Sequence, residues 1–293
     1  MQLITITFLA SIAFSSTINC SESGGRYPSI FQLSDLQNEF DNLQENDLLV
    51  LDIDDTTIVA NDVAKREYPK KELRAFKDEI FKGRDLENEI KYFESIQWCI
   101  AAHSLIDPKT PDIVANLQKK NIRVIALTHM RIGKTHKIED WHEWRYSRLK
   151  EFGIDLAHGN PESYDFGLMH AGKILKEPSE APAFRKGVLA TSRSCSKGEV
   201  LAELIRQLPE RPNRIIFVDD YVEHLDSVAQ AMKEMGIDAG IYESVGTKEL
   251  PDRFNPSDSE KVAIAKLQYE RLINNHEWLS DEQARELLKF VLS

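Results

Sequence analysis

One short run constrains the fold more than any other. Residues 48–53 are apolar throughout except for Asp52, and Asp54 and Asp55 follow at once. A strand with no polar face is buried on both sides, as in the middle of a parallel sheet. A carboxylate at the end of such a strand costs several kcal/mol to desolvate unless a cation pairs with it.

The same pattern recurs. Residues 122–127 are apolar apart from Arg123, 215–218 are wholly apolar, and 187–190 and 239–242 are weaker examples. Helical periodicity precedes several of them, over 110–119, 197–207 and 222–235. Strands alternating with helices predict an α/β fold: a doubly wound, mainly parallel sheet with right-handed crossovers.

Two stretches interrupt the alternation. Residues 58–107, charged and helix-rich, follow the first core strand and are expected to form a helical cap. A second insertion spans 129–185, with a helix over 141–152 and a Gly/Pro-rich part over 153–182. Insertions at strand ends are where lids and specificity loops sit. Before the core, 34–43 reads as a short helix with Ser34 as N-cap and Leu36, Phe40 and Leu43 at helical spacing. Residues 257–293 read as structural C-terminal helices, with a capping box of Ser280 and Gln283. No internal repeat is visible. The expected division is 1–20 as a signal peptide, 21–46 as leader and helix, 47–256 as core with both insertions, and 257–293 as C-terminal helices.

The signal-peptide expectation rests on the first twenty residues, which carry no charged side chain and are mostly apolar from Leu3 to Phe14. The stretch is short for a membrane span and lacks the usual leading Lys or Arg. An exported protein, periplasmic or secreted, is the expectation; membrane attachment enters only if Cys20 is lipidated. The other cysteines, Cys99 and Cys195, show no disulfide framework and read as buried thiols. A net charge of −11 argues against nucleic acid as a partner. It leaves room for a small phosphorylated substrate.

Three apolar strands end in polar groups. Ligands of open α/β sheets bind beyond the carboxyl ends of the strands, so Asp52, Asp54, Thr128, Asp219 and Asp220 should meet in one crevice. For any single Asp, a turn or helix cap is explanation enough; the set in this order is not so easily dismissed. Clustered carboxylates need a cation, and oxygen-only ligands favour a hard ion such as Mg²⁺.

This arrangement resembles the haloacid dehalogenase (HAD) superfamily. Its first motif, Asp-x-Asp-x-Thr/Val after an apolar strand, is similar to Asp52-Ile53-Asp54-Asp55-Thr56. Its second, a strand ending in Ser or Thr, matches Thr128. Its third, a Lys near a helix start, is best matched by Lys197, with Lys186 as a competitor. Its fourth, an acidic pair at a strand end, matches Asp219-Asp220. The stretch Lys186-Gly-Val-Leu-Ala-Thr-Ser, with Lys197-Gly-Glu-Val-Leu soon after, resembles exported acid-phosphatase-like members and a related bacterial family without assigned function.

The resemblance implies roles. Asp52 is the nucleophile that forms an aspartyl-phosphate, and Asp54 the general acid and then base. Thr128 donates to a phosphoryl oxygen, and Lys197 offsets negative charge. Asp52, the backbone carbonyl of Asp54, Asp219 and Asp220 hold Mg²⁺. The expected activity is phosphomonoester hydrolysis. A phosphotransferase of the same fold and a non-catalytic exported binding protein stay open; a receiver-like domain is disfavoured by length and by Asp-x-Asp. His129, His136 and His142 lack ligand spacing and read as packed or solvated, although His129 follows Thr128 directly. Arg145 and Arg148 are candidates for a second anionic group on the substrate.

Overall fold

The computed structural model describes residues 26–66, 75–76, 79–83, 86–167, 169–170, 173–175, 180–192, 194–249 and 258–292. The expected signal segment, Cys20 and the start of the leader lie outside them. Among the described residues no helix is long and apolar enough to cross a membrane.

The protein is an α/β fold around a mostly parallel, eight-stranded sheet of order β1-β12-β11-β2-β5-β10-β9-β6. The central strands are β2 (Leu48–Leu51), β5 (Arg123–His129), β10 (Val188–Thr191), β11 (Arg214–Asp219) and β12 (Asp238–Ser244). All pair in parallel, in the registers Leu51↔Ala126, Val218↔Leu51 and Ala190↔Thr128. The apolar runs therefore lie where strand burial requires them, with β2 in the middle.

The edges were not legible as strands. β1 (Ser29–Ile30) adds to β12 in parallel, while β9 (Ala183–Arg185) and β6 (Tyr164–Asp165) continue past β10 antiparallel. β9 turns into β10 through Lys186 and Gly187, both at positive φ, 50° and 76°, which fits the twist of a two-residue hairpin. A side chain at Gly187 would also meet the Leu156 carbonyl at 2.3 Å.

Alternation along each strand feeds two cores. Leu49, Leu51, Val124, Ala126, Ile216 and Val218 face one side, against Leu33, Phe40 and the helix α3 (Thr110–Lys119). Leu48, Val50, Ile125, Leu127, Ile215 and Phe217 face the other, against α5 (Lys197–Gln207) and α6 (Val222–Met235). Each Leu, Ile, Val or Phe among them contributes roughly 1.5–3 kcal/mol on burial, and helices on both faces are what a doubly wound sheet needs. The helix expected over 34–43 begins instead as a 3₁₀ turn, Leu33–Leu36, and continues as α1 (Gln37–Asn42). Gln32, not Ser34, takes the cap position, because Asp35 bonds back to the Gln32 amide while the Ser34 amide goes to Asp107.

The first insertion opens with β3 (Ile58–Ala60), carries α2 (Leu86–Ile100) and returns through β4 (His103–Leu105), antiparallel to β3. Its side chains Ala64, Phe93 and Ile96 pack on Ala265, Tyr269, Leu272 and Trp278. The last two belong to, and follow, α8 (Asp258–Asn275), which leads into α9 (Asp281–Leu292). Asp281 accepts the Val63 amide on both oxygens, and Trp278 donates to Asp62. The C-terminal helices, set apart in the sequence, thus build one layer with the insertion. The Ser280–Gln283 capping box is formed in both directions. Between the central strands run α3, α4 (Trp141–Glu151), α5 and α6; the short β7 (Met169–His170) and β8 (Lys173–Ile174) pair outside the main sheet, and α7 (Gly246–Glu249) follows β12.

Candidate active site

β2, β5 and β11 deliver their carboxyl ends side by side. Asp52 continues the ladder one residue past β2, its amide donating to the Val218 carbonyl at 2.9 Å. A tight turn follows: the Thr57 and Ile58 amides both return to the Ile53 carbonyl, and Asp55 adopts φ 61° with its amide on the Ile58 carbonyl. The Thr57 hydroxyl donates to the Asp52 carbonyl at 2.6 Å. This turn fixes the direction of Asp52 and carries Asp54 toward Arg145.

Lys197 is the first residue of α5, whose Ser196 and Glu199 form a full capping box. Its ammonium donates to Asp52 Oδ1 at 2.5 Å and to Asp219 Oδ2 at 2.7 Å. The three side chains are almost fully buried. Asp219, the last residue of β11, also accepts the Tyr221 amide at 2.9 Å and His224 Nδ1 at 3.0 Å on its other oxygen. One oxygen from each of Asp52, Asp219 and Asp220 lies within 4.8 Å of the others.

The charges are unequal. Burial pushes the Asp219 carboxyl up, but Lys197 and the His224 hydrogen bond outweigh it and hold it below the ordinary carboxylate range. Lys197 is held above its ordinary value: burial lowers it, and Asp52 and Asp219 more than compensate. Asp52 shares that lysine yet stays raised, because burial is the larger effect and the Asp219 charge adds to it. Asp220 is pushed up to about 8 by burial, then by Asp52 and Asp219. One lysine is thus too little positive charge for three carboxylates, which is the condition a divalent cation relieves. An all-oxygen donor set fits Mg²⁺ or a similar hard ion.

The other expected residues divide. Thr128 is buried on β5, two residues beyond the partner of Leu51, on the strand adjacent to Asp52. Asp54 does not join the carboxylate triad; both its oxygens accept from Arg145, at 3.0 and 2.8 Å. Lys186 lies away from the cluster, in the β9–β10 turn, where it pairs with Glu143. Arg148 bonds the Cys99 carbonyl and Glu151. His136 packs edge-on to Tyr92, and His142 bonds the Ala183 carbonyl. Cys99 and Cys195 are thiols, Cys195 buried and Cys99 half-buried.

One residue of the site, His224, escaped the sequence reading. His224 braces Asp219 and packs edge-on to His129, ring centroids 4.6 Å apart. His129 is pushed down to about 4 by burial, Lys197 and His224, so its ring is neutral, and its Nε2 bonds the Cys195 carbonyl. A His in the first turn of the helix after an acidic strand end was the available signal for His224. No local signal links Arg145 to Asp54, 91 positions apart.

Residues 29–285 match the family described as protein of unknown function (DUF2608). The chain belongs to the DUF2608 family. Among its relatives is "Uncharacterized protein RP296" of Rickettsia prowazekii (strain Madrid E), 23% identical over 268 residues, covering 86% of this chain and 87% of that protein. An uncharacterized protein of Rickettsia bellii (strain RML369-C) is 27% identical over 125 residues, covering 42% of this chain and 41% of that one. Neither the family's description nor these names state an activity. No solved structure matches the chain. The DUF2608 match takes in β1, both insertions, the whole candidate site and the start of α9.

Proposed function

We propose that this DUF2608 protein is a HAD-type, Mg²⁺-dependent phosphatase that hydrolyses a phosphomonoester through an aspartyl-phosphate. The observation that carries the reading is the buried Asp52–Lys197–Asp219 chain with Asp220 beside it, at the carboxyl ends of adjacent parallel strands. Four charged groups converging from three distant segments are costly to bury. A purely structural role would be met more cheaply by apolar packing.

In this reading Asp52 attacks phosphorus and the bond to the leaving oxygen breaks, giving the aspartyl-phosphate. Asp54 gives its proton to that oxygen, then takes one from the water that attacks the intermediate and releases phosphate. The acid contribution is about 10²- to 10⁴-fold. Lys197 offsets negative charge on Asp52 and the phosphoryl oxygens, and Thr128 donates a hydrogen bond. Asp219 is itself held by His224 and the Tyr221 amide, so it positions Lys197. Asp52, Asp219 and Asp220, with the Asp54 carbonyl, would hold Mg²⁺, which supplies charge neutralisation for the phosphoryl oxygens when bound. The first insertion, with the C-terminal helices packed on it, serves as the cap. Export through residues 1–20 and a small phosphorylated substrate belong to the same proposal.

The test is hydrolysis of a generic aryl phosphate by folded protein, with and without Mg²⁺. Metal-dependent release of phosphate is expected. Activity absent across several divalent metals and pH values sinks the enzyme reading and leaves a binding protein. Phosphate transferred to an added alcohol in place of water makes the protein a phosphotransferase.

A further inference from the structure

Arg145 is buried although, among the described residues, its guanidinium hydrogen-bonds only to Asp54. Its side chain is 2% exposed, whereas that of Asp54 is 35% exposed. The guanidinium lies 5.1 Å from the Trp98 ring and 5.0 Å from the Trp144 ring. Its buried Nε has no hydrogen-bond partner among the described residues. A planar fork held against two aromatic rings is preorganised for a flat anion.

A second cation stands beside it. Lys65 Nζ lies 3.2 Å from the centre of the same Trp98 ring. Among the described residues Lys65 forms no ion pair. His103 stacks on Trp98 with planes 6° apart and centroids 5.6 Å apart, and its buried Nε2 has no hydrogen-bond partner among the described residues. Nearby acids are otherwise engaged: Glu94 by Arg131, and Asp62 by Trp278. Two cations therefore face one carboxylate that is partly open to solvent.

We propose that Arg145 and Lys65 form a second anion subsite, which takes a carboxylate or phosphate carried by the substrate near its phosphoryl group. Asp54 holds that place in the free protein and gives it up when the substrate's anion arrives, which turns its oxygens toward the leaving group. The subsite rests on the phosphatase reading and narrows its substrate class to phosphomonoesters bearing a second negative group. Trp98, Lys65 and His103 come from the first insertion, while Arg145 comes from α4 and Asp54 from the β2 turn. Binding therefore ties the insertion to the core.

The experiment compares three probes: ethyl phosphate, phosphoglycolate and a propanediol bisphosphate. Their affinities for the full chain carrying Asp52→Asn are measured by calorimetry in Mg²⁺, and kcat/KM by the wild type. At least one doubly anionic probe is expected to bind and react about tenfold better than ethyl phosphate, the scale of one charge-assisted contact. Arg145→Lys removes the fork but keeps a charge against the rings, and Lys65→Gln removes the second cation; each is expected to erase most of that preference. Equal affinity for all probes, or a preference kept in both variants, overturns the subsite. Ethyl phosphate turned over as fast as the others overturns the subsite alone. Failure of every probe to bind or react overturns the phosphatase reading with it.

Discussion

The Lys197 ammonium and the Asp52 carboxylate, 145 positions apart in the chain, lie 2.5 Å apart at the carboxyl end of the sheet. The lysine opens a helix on one face of the sheet; the acid ends its middle strand. Breaking a buried pair leaves an uncompensated charge, and here the same lysine also holds Asp219. Lys197→Met should therefore lower stability by about 3–5 kcal/mol near neutral pH, read as a shift in the urea midpoint. A loss of less than about 1 kcal/mol would place the pair in the range of surface ion pairs.

Mg²⁺ should stabilise the folded protein. A bound cation would relieve the mutual repulsion of Asp52, Asp219 and Asp220, and at a hundred times its Kd the gain would be about 2.7 kcal/mol. The melting temperature should rise with added Mg²⁺ and fall back with chelator. Asp220→Asn should shrink that rise. A melting temperature indifferent to Mg²⁺ and other hard divalent ions would contradict the assignment.

Gly198, next to Lys197, has no room for a side chain. A Cβ there would stand 2.0 Å from the Ser227 carbonyl oxygen, so α5 and α6 would have to part. Gly198→Ala should cost about 1–3 kcal/mol by overpacking and move Lys197 off its two acids. Melting and turnover should fall together; a variant as stable as the parent would mean the helix contact yields more easily than its backbone suggests.

The contact of the C-terminal helices with the first insertion should respond to pH. Asp281 is pushed up to about 6, mainly by burial and then by Asp62, while the Val63 amide bonds oppose this. The folded state therefore holds the proton more tightly than the unfolded chain, whose Asp titrates near 3.9. The stability this contributes is full below the unfolded value and is lost as pH rises through about 6. Asp281→Asn loses an acceptor but also escapes that loss, so the variant's deficit against the parent should be smaller at pH 7 than at pH 4, by thermal melting. A deficit that grows with pH would mean the carboxylate is the form the fold prefers.

The sequence was informative wherever one local pattern decides the outcome. The runs at β2, β5 and β11 announce buried parallel strands because apolar runs this short, with helical segments between them, suit strands covered on both faces. The helices Thr110–Lys119, Lys197–Gln207 and Val222–Met235 were delimited by their periodicity. The meeting of Asp52, Asp219 and Asp220 followed from strand ends in an open sheet, whereas Lys197, at a helix start, was picked out only through the family resemblance. Edge strands of two or three residues, such as β1 and β6, are too short for any period to show. The packing of Trp278 and Tyr269 on Ala64 and Phe93 depends on contacts about 200 residues apart, as the Tyr269 hydroxyl on the Ala64 carbonyl illustrates. The engagement of Asp54 by Arg145 has the same origin: it is set by how α4 lies against the β2 turn, and neither segment encodes the other.

The nucleophile assignment is tested most directly by turnover of an aryl phosphate by Asp52→Asn beside the wild type, in saturating Mg²⁺, with folding checked by circular dichroism. A folded variant with kcat lower by about 10³-fold or more is expected, the scale seen when a covalent nucleophile is removed. Wild-type turnover in the folded variant would contradict the account.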